Sequence, residues 1–180
     1  YQAACFVRAA ASGHTPLLQG TLLPSDGLPM GALIVEVING RPLSLPADLK
    51  AMAQCLAAIH TLPLPPRNVR APLLDPIDPL GDTFTEVLSQ AAYIAAADLH
   101  PEAEAQIREE LRAAGVTLGL ADRPPRSLIV FDAHPGNYLM TTDENGDRRA
   151  ILVDLEKARY GLAGLDLAHA SLYTSTTWDL

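Results

Sequence analysis

The last third of the chain carries the strongest constraint on its fold: two short apolar strands, each running straight into an aspartate. Ser127-Leu128-Ile129-Val130-Phe131 leads into Asp132, and Arg149 to Val153 leads into Asp154. Between them stand Ala133-His134-Pro135-Gly136-Asn137, a strand over Tyr138 to Thr142, and the polar loop Asp143-Glu144-Asn145-Gly146-Asp147. The Asn-Gly pair in that loop favours a hairpin. A hairpin returns the second strand to the start of the first, so Asp132, Asn137 and Asp154 are expected to converge on one cleft. Two carboxylates and an amide oxygen are hard donors, suited to a small divalent cation that keeps few protein ligands.

Upstream, the periodicity predicts a helix over Tyr1 to Ser12, with Phe6, Ala9 and Ala10 on one face and Gly13 just past its end. Leu17 to Leu23 and Ala32 to Ile38 read as strands ended by Asn39-Gly40. Pro24-Ser25-Asp26-Gly27 joins them as a turn in which glycine takes the positive φ of a tight reversal. From Pro46 to His60 the pattern is helical, with Pro46 in the first turn and Leu49, Met52, Ala53, Leu56 and Ile59 on one face. Six prolines in the 17 residues from Pro63 to Pro79 predict an irregular surface connection. Two helices follow, about Asp82–Leu99 and Pro101–Ala114, and a last helix begins near Gly164-Leu165-Asp166.

Composition narrows the function classes. Against 21 Asp+Glu the chain has 13 Lys+Arg, a formal charge of −8. That balance is poor for phosphate-backbone binding and for docking on an anionic membrane, so neither nucleic acid nor membrane is expected as a partner. The longest apolar run, Ala91 to Ala97, falls far short of the roughly 18 residues that span a bilayer. Two cysteines, Cys5 and Cys55, form no disulfide framework or metal motif, which fits a reducing, cytoplasmic setting. The chain starts on Tyr1 rather than Met and reads as a piece of something longer.

Asp132-Ala133-His134-Pro135-Gly136-Asn137, followed by Ile151-Leu152-Val153-Asp154-Leu155-Glu156, resembles the aminoglycoside phosphotransferase and choline kinase-like family. Gly164-Leu165-Asp166-Leu167-Ala168 is similar to that family's downstream P-x-x-D-L-A element, and the helix ending in Ile59-His60 to its L-x-x-L-H segment. The family shares the protein-kinase fold and phosphorylates small-molecule hydroxyls from ATP. The resemblance implies an α+β, protein-kinase-like fold with a largely helical C-lobe and a partial β N-lobe. Residues 1–38 would be the partial N-lobe, a helix plus a hairpin ending in the hinge strand, and residues 39–180 a C-lobe truncated at its C-terminus.

Carried over residue by residue, Asp132 would be the catalytic base and Asn137 and Asp154 the Mg2+ ligands. Backbone groups of Val35, Glu36 and Val37 would meet the adenine of ATP. His134 would position the loop, and Asp166 would brace it from the next helix. Such a site works by positioning and charge neutralisation.

Three departures qualify the resemblance. Val130-Phe131 stands where the family has His-Gly, no glycine-rich phosphate loop is present, and no strand lysine pairs with a helix glutamate. Lys157 lies after the wrong strand for that lysine and is expected to be exposed. The expected function is an ATP-dependent phosphotransferase acting on a small-molecule hydroxyl, with this chain alone binding Mg2+-ATP weakly and turning nothing over. The rival is a non-catalytic kinase-like binding or interaction module. Apolar surface left uncovered on such a piece would favour self-association.

Overall fold

A computed structural model describes residues 1–142 and 146–172. Part of the expected hairpin turn, Asp143 to Asn145, and the terminal Trp178-Asp179-Leu180 lie outside the described residues. The chain forms two compact units, one from residues 1–75 with the chain from Arg126 onward, the other from residues 76–125.

In the first unit, helix α1 (Gln2–Ala9) buries Cys5, Phe6 and Ala9, then tightens into a 3-10 turn at Ala10–Ser12. Gly13 ends it at φ 68°, left-handed backbone that a side chain resists. Strands β1 (Leu18–Leu22) and β2 (Ala32–Val35) pair antiparallel. The turn between them closes through reciprocal Ser25–Leu28 backbone hydrogen bonds of 2.8 and 2.9 Å, and Gly27 does not take the expected positive φ. That ladder supplies the reversal without left-handed backbone.

Strand β3 (Arg41–Pro42), absent from the sequence reading, lies against strand β5 (Tyr138–Thr142). Gly40 permits the approach, since a Cβ there would sit 2.7 Å from the Met140 carbonyl oxygen. Helix α2 (Leu49–His60) starts three residues later than Pro46 would have placed it. The Asp48 side chain is drawn to Arg41 and to the Ser44 amide, which holds the preceding residues in a turn. The buried face of α2 is Met52, Cys55, Leu56 and Ile59; Leu49 and Ala53 of the expected face are exposed. Fully burying Ile59 alone contributes about 1.5–3 kcal/mol.

The expected hairpin is β5 with β6 (Arg148–Leu152), in register from Tyr138↔Leu152 to Thr142↔Arg148, giving the sheet order β3-β5-β6. Strands β4 (Ser127–Ile129) and β7 (Arg159–Gly161) form a second pair, and helix α5 (Ala163–Leu172) follows. Their apolar residues join α1 and α2 in one core. Both cysteines are buried and free within it; burial pushes the Cys55 thiol up to about 12 and the Cys5 thiol up to about 11.

The second unit is a helical pair, α3 (Pro79–Ala97) and α4 (Pro101–Leu120). Each opens on a proline, and the His100 ring caps α4 by accepting the Ala103 amide. Helix α4 runs six residues past the expected end at Ala114. Gly115 sits inside it, where a Cβ would stand 3.3 Å from the Phe84 ring. No described helix is long and apolar enough to cross a membrane.

Candidate active site

Strand β4 delivers the chain to Val130, and Phe131 then adopts φ 57°, a left-handed conformation that costs a non-glycine residue roughly 1–2 kcal/mol. The fold supports it from three sides. The wholly buried Asp166 carboxylate accepts the Val130 and Phe131 amides at 2.9 and 2.8 Å. The Arg159 guanidinium covers the Phe131 ring at 3.7 Å, and the His169 ring meets its edge at 5.1 Å. His60, at the end of α2, places Nε2 2.8 Å from Asp166 Oδ2. The carboxylate thus serves three donors, so its own burial is compensated.

This bend aims the chain into Asp132. Beyond it, Pro135–Asn137 make one 3-10 turn, in which the His134 Nδ1 accepts the Gly136 amide at 3.2 Å. His134 Nε2 then stands 4.0 Å from Asp132 Oδ1, beyond hydrogen-bond reach. Asn137 closes the loop by donating its Nδ2 to the Asp132 carbonyl at 2.9 Å. Its own backbone carbonyl accepts the Val153 amide at 2.9 Å, which seats Asp154 beside it. Asp154 Oδ1 in turn accepts the Glu156 amide at 3.3 Å.

The donor set fits a Mg2+ ion on its chemistry. The Asn137 amide nitrogen is committed, so its oxygen is the end available to a cation, and the Asp154 carboxylate follows the strand residue bonded to Asn137. Among the described residues no three His, Cys, Asp or Glu gather as a metal cage. Mg2+ commonly takes one or two protein side chains and completes its shell with water and phosphate oxygens.

Residues 6–180 match the sequence pattern of the phosphotransferase enzyme family. The chain belongs to that family. No match was found among the curated proteins. Among solved structures, it is similar to a choline/ethanolamine kinase family protein from Mesorhizobium loti, with 19% identity and a TM-score of 0.61. The alignment covers 99% of this chain and 56% of that one. A spectinomycin phosphotransferase solved with ADP and spectinomycin gives 13% identity and a TM-score of 0.67, covering 99% and 59%. An aminoglycoside-3'-phosphotransferase of type VIII gives 21%, 0.56, 98% and 64%. The fold is therefore the α+β, kinase-like one of this phosphotransferase family, and the chain spans about three-fifths of the length of these structures.

Val130-Phe131 stands where His-Gly was expected before Asp132, and Phe131 holds left-handed backbone there. The stabilising contacts come from Asp166, Arg159 and His169. His60 closes α2, and its bond to Asp166 gives it a place in the brace. Only the short L-x-x-I-H ending of its helix hinted at that.

Lys157, expected to be exposed, is about half exposed and also ion-paired, with Nζ 2.5 Å from Asp132 Oδ2. Its pairing with Asp132 was not foreseen, because 25 positions separate the two and no motif marks it. A cavity of about 650 Å3 opens beside Lys157 and Glu156, between the first residues of α1, the end of β1 and the start of β2. Tyr1 anchors this corner through its hydroxyl, which donates to the Ala158 carbonyl at 2.7 Å.

The expected adenine-binding residues lie at and just after the end of β2. Val35 ends β2, and Glu36 is tied to β1 by its amide to the Leu17 carbonyl and by its carboxylate to the Leu17 amide, at 2.9 and 3.1 Å. Val37 is exposed.

Proposed function

We propose that the protein transfers the γ-phosphoryl group of ATP to a hydroxyl of a small molecule, with this chain carrying the base and metal side of the site. In this reading, Asp132 accepts the acceptor's hydroxyl proton through a carboxylate oxygen as the acceptor oxygen bonds to the γ-phosphorus. The bond from that phosphorus to its bridging oxygen breaks, and ADP leaves with the electron pair. Asn137 and Asp154 would hold Mg2+, which when bound neutralises phosphate charge. His134 and Asp166 keep the loop in place, and the backbone of Val35 to Val37 meets the adenine. Residues 1–38 act as the N-lobe side and residues 39–180 as the C-lobe side of a cytoplasmic enzyme that needs neither nucleic acid nor membrane.

One observation carries the reading. Asn137 bonds the Asp132 carbonyl through its side chain and receives the strand leading to Asp154 through its backbone, so one residue couples base and metal positions. The test is ADP release across a panel of amino sugars, amino alcohols and sugars with Mg2+-ATP, on the protein with its native flanking sequence. Transfer that persists unchanged in Asp132→Ala removes the assignment.

A second reading is favoured by the Lys157–Asp132 ion pair, which takes up one oxygen of that carboxylate: a kinase-like module that binds without turnover. The 180-residue chain is expected to bind Mg2+-ATP weakly and show no turnover. Equal weakness with native flanking sequence restored, read by calorimetry, favours the module over the enzyme.

A further inference from the structure

Positive charge is scarce on this chain, 13 Lys+Arg against 21 Asp+Glu, yet arginines gather at one corner of the first unit. The proline-rich connection makes a 3-10 turn there, Arg67–Val69, and Arg8 of α1 donates to the Val69 carbonyl. Asp75 follows, at the point where the chain leaves the first unit. Its carboxylate accepts Arg67 Nε at 3.0 Å, Arg70 Nη1 at 3.1 and 3.2 Å, and Arg126 Nη1 at 2.5 Å. Arg67 Nη2 and Arg70 Nε are taken up by the backbone carbonyls of Asp75 and Pro65.

Among the described residues, Arg8, Arg67 and Arg70 have a single carboxylate between them, and they share it with Arg126. The Arg70 side chain is only 14% exposed, so its charge is held largely out of water, where an under-matched cation is costly. Donors remain as well: Arg67 Nη1, Arg70 Nη2 and most of the Arg8 fork make no hydrogen bond among the described residues. Beneath them lies Tyr160, with the Arg70 guanidinium 5.1 Å from its ring centre. The Tyr160 hydroxyl is buried without a hydrogen-bond partner among the described residues, beside Arg8, Arg70 and Asp75. Burial pushes its pKa up, so it stays a neutral group able to donate. A buried donor with no acceptor, next to more cations than anions, is what an anion would satisfy on both counts.

We propose that Arg8, Arg67, Arg70 and the Tyr160 hydroxyl form a binding site for a phosphate dianion, either free or as the monoester of a small molecule. A tetrahedral dianion presents oxygens to several guanidinium forks at once and brings two negative charges, where a carboxylate brings one. Strand β4 separates this corner from the candidate active site, since the Asp75–Arg126 pair stands before its first residue and Asp132 beyond its last. The site is therefore a second one, and the inference is independent of the phosphotransferase reading. A ligand held there ties α1, the proline-rich connection and β7 together where the chain departs for the helical pair.

The test is calorimetric titration of the whole chain with inorganic phosphate, glycerol phosphate and acetate at fixed ionic strength and without divalent metal. At about pH 7.5 a phosphate monoester, with a second pKa of about 6, is doubly charged. Inorganic phosphate or glycerol phosphate should bind well ahead of acetate, and the tighter of the two identifies the free ion or the monoester as the natural ligand. Arg67→Gln, a change at a half-exposed side chain, should weaken binding about tenfold, and Tyr160→Phe about threefold. Lys50→Gln removes the same charge from α2 and should leave the affinity unchanged, as should Asp132→Ala. Circular dichroism checks that each variant folds; should Tyr160→Phe fail, Arg67→Lys keeps the charge without the fork and should bind with intermediate affinity. Acetate matching phosphate, or Lys50→Gln losing as much as Arg67→Gln, would reduce the effect to general charge and overturn the proposal. Loss in Asp132→Ala with none in Arg67→Gln would move the anion to the candidate active site and overturn it too. A wild type that binds neither phosphate nor its monoester ends it outright.

Discussion

The loop at Phe131 to Asn137 and the helical pair α3–α4 treat their side chains in opposite ways. Around the loop, one buried carboxylate serves two amides and an imidazole, and a left-handed phenylalanine is held by a guanidinium and a second ring. In α3 only Pro79 is buried, and in α4 no residue is. A loop with this many fixed hydrogen bonds is over-determined, so it can carry strain, as the proposed roles of base and metal ligand would require. A pair of helices with little of its own core depends weakly on any one side chain and leaves its surface open to change. The unit with the chemistry is rigid by construction, and the other is permissive.

The largest expected effect tests that rigidity. Asp166→Ala strands the Val130 and Phe131 amides and His60 in a buried site, each at about 1–3 kcal/mol. The loss should be about 3 kcal/mol or more in chemical denaturation, with Asp166→Asn intermediate because it keeps one acceptor oxygen. A loss below about 1 kcal/mol would mean that water replaces the brace.

Asp132→Asn should separate chemistry from stability. Phosphotransfer by the protein with native flanking sequence should fall about 10²–10⁴-fold, the range for loss of a general base. The denaturation midpoint should move little, because Asp132 reaches the solvent-exposed Lys157 instead of buried amides.

How much of this was legible in the sequence follows from range. That Asn137 would meet Asp132 and the strand leading to Asp154 could be read because local spacing and a hairpin suffice. Asp166 could be read only through the family resemblance. His60 lies 106 residues from Asp166 and Lys157 lies 25 from Asp132, and neither pairing has a local signature. The two- and three-residue strands β3 and β7 are imposed by their neighbours, with too few residues for any period. The length of α4 was hidden by Gly115, which packs against Phe84 instead of ending the helix.

A third test compares buried carboxylates within the first unit. The Arg41 guanidinium, with help from the Ser44 amide and from Arg148, holds the Asp48 carboxyl down at about 2, below its ordinary value of 3.8. A carboxyl lowered on folding stabilises the fold above its ordinary value. That contribution should fade as pH falls from about 4 towards about 2. Asp48→Asn should flatten this part of a stability-versus-pH curve, and an unchanged slope would show that Asp48 does not carry the acid response.

Phe131 offers a smaller and sharper measurement. Alanine keeps the left-handed penalty and loses the ring contacts, whereas glycine loses the contacts and the penalty together. Phe131→Gly should therefore be more stable than Phe131→Ala by about 1 kcal/mol. Equal stability in the two variants would place Phe131 in ordinary backbone and weaken the case that Asp166 holds a strained bend.

The smallest expected effect lies in the permissive unit. Leu99 and Leu120 are 88% and 83% exposed, in the α3–α4 connection and at the end of α4. Replacing both with serine removes apolar area that is already in water, so stability should change by no more than about 0.5 kcal/mol. If exposed apolar surface drives self-association, the same double variant should lower the concentration-dependent mass seen by light scattering. Wild type that stays monomeric at high concentration would remove self-association altogether. A large loss of stability would be more informative still, because it would show that these leucines are covered in solution and that the helical pair has a partner surface of its own.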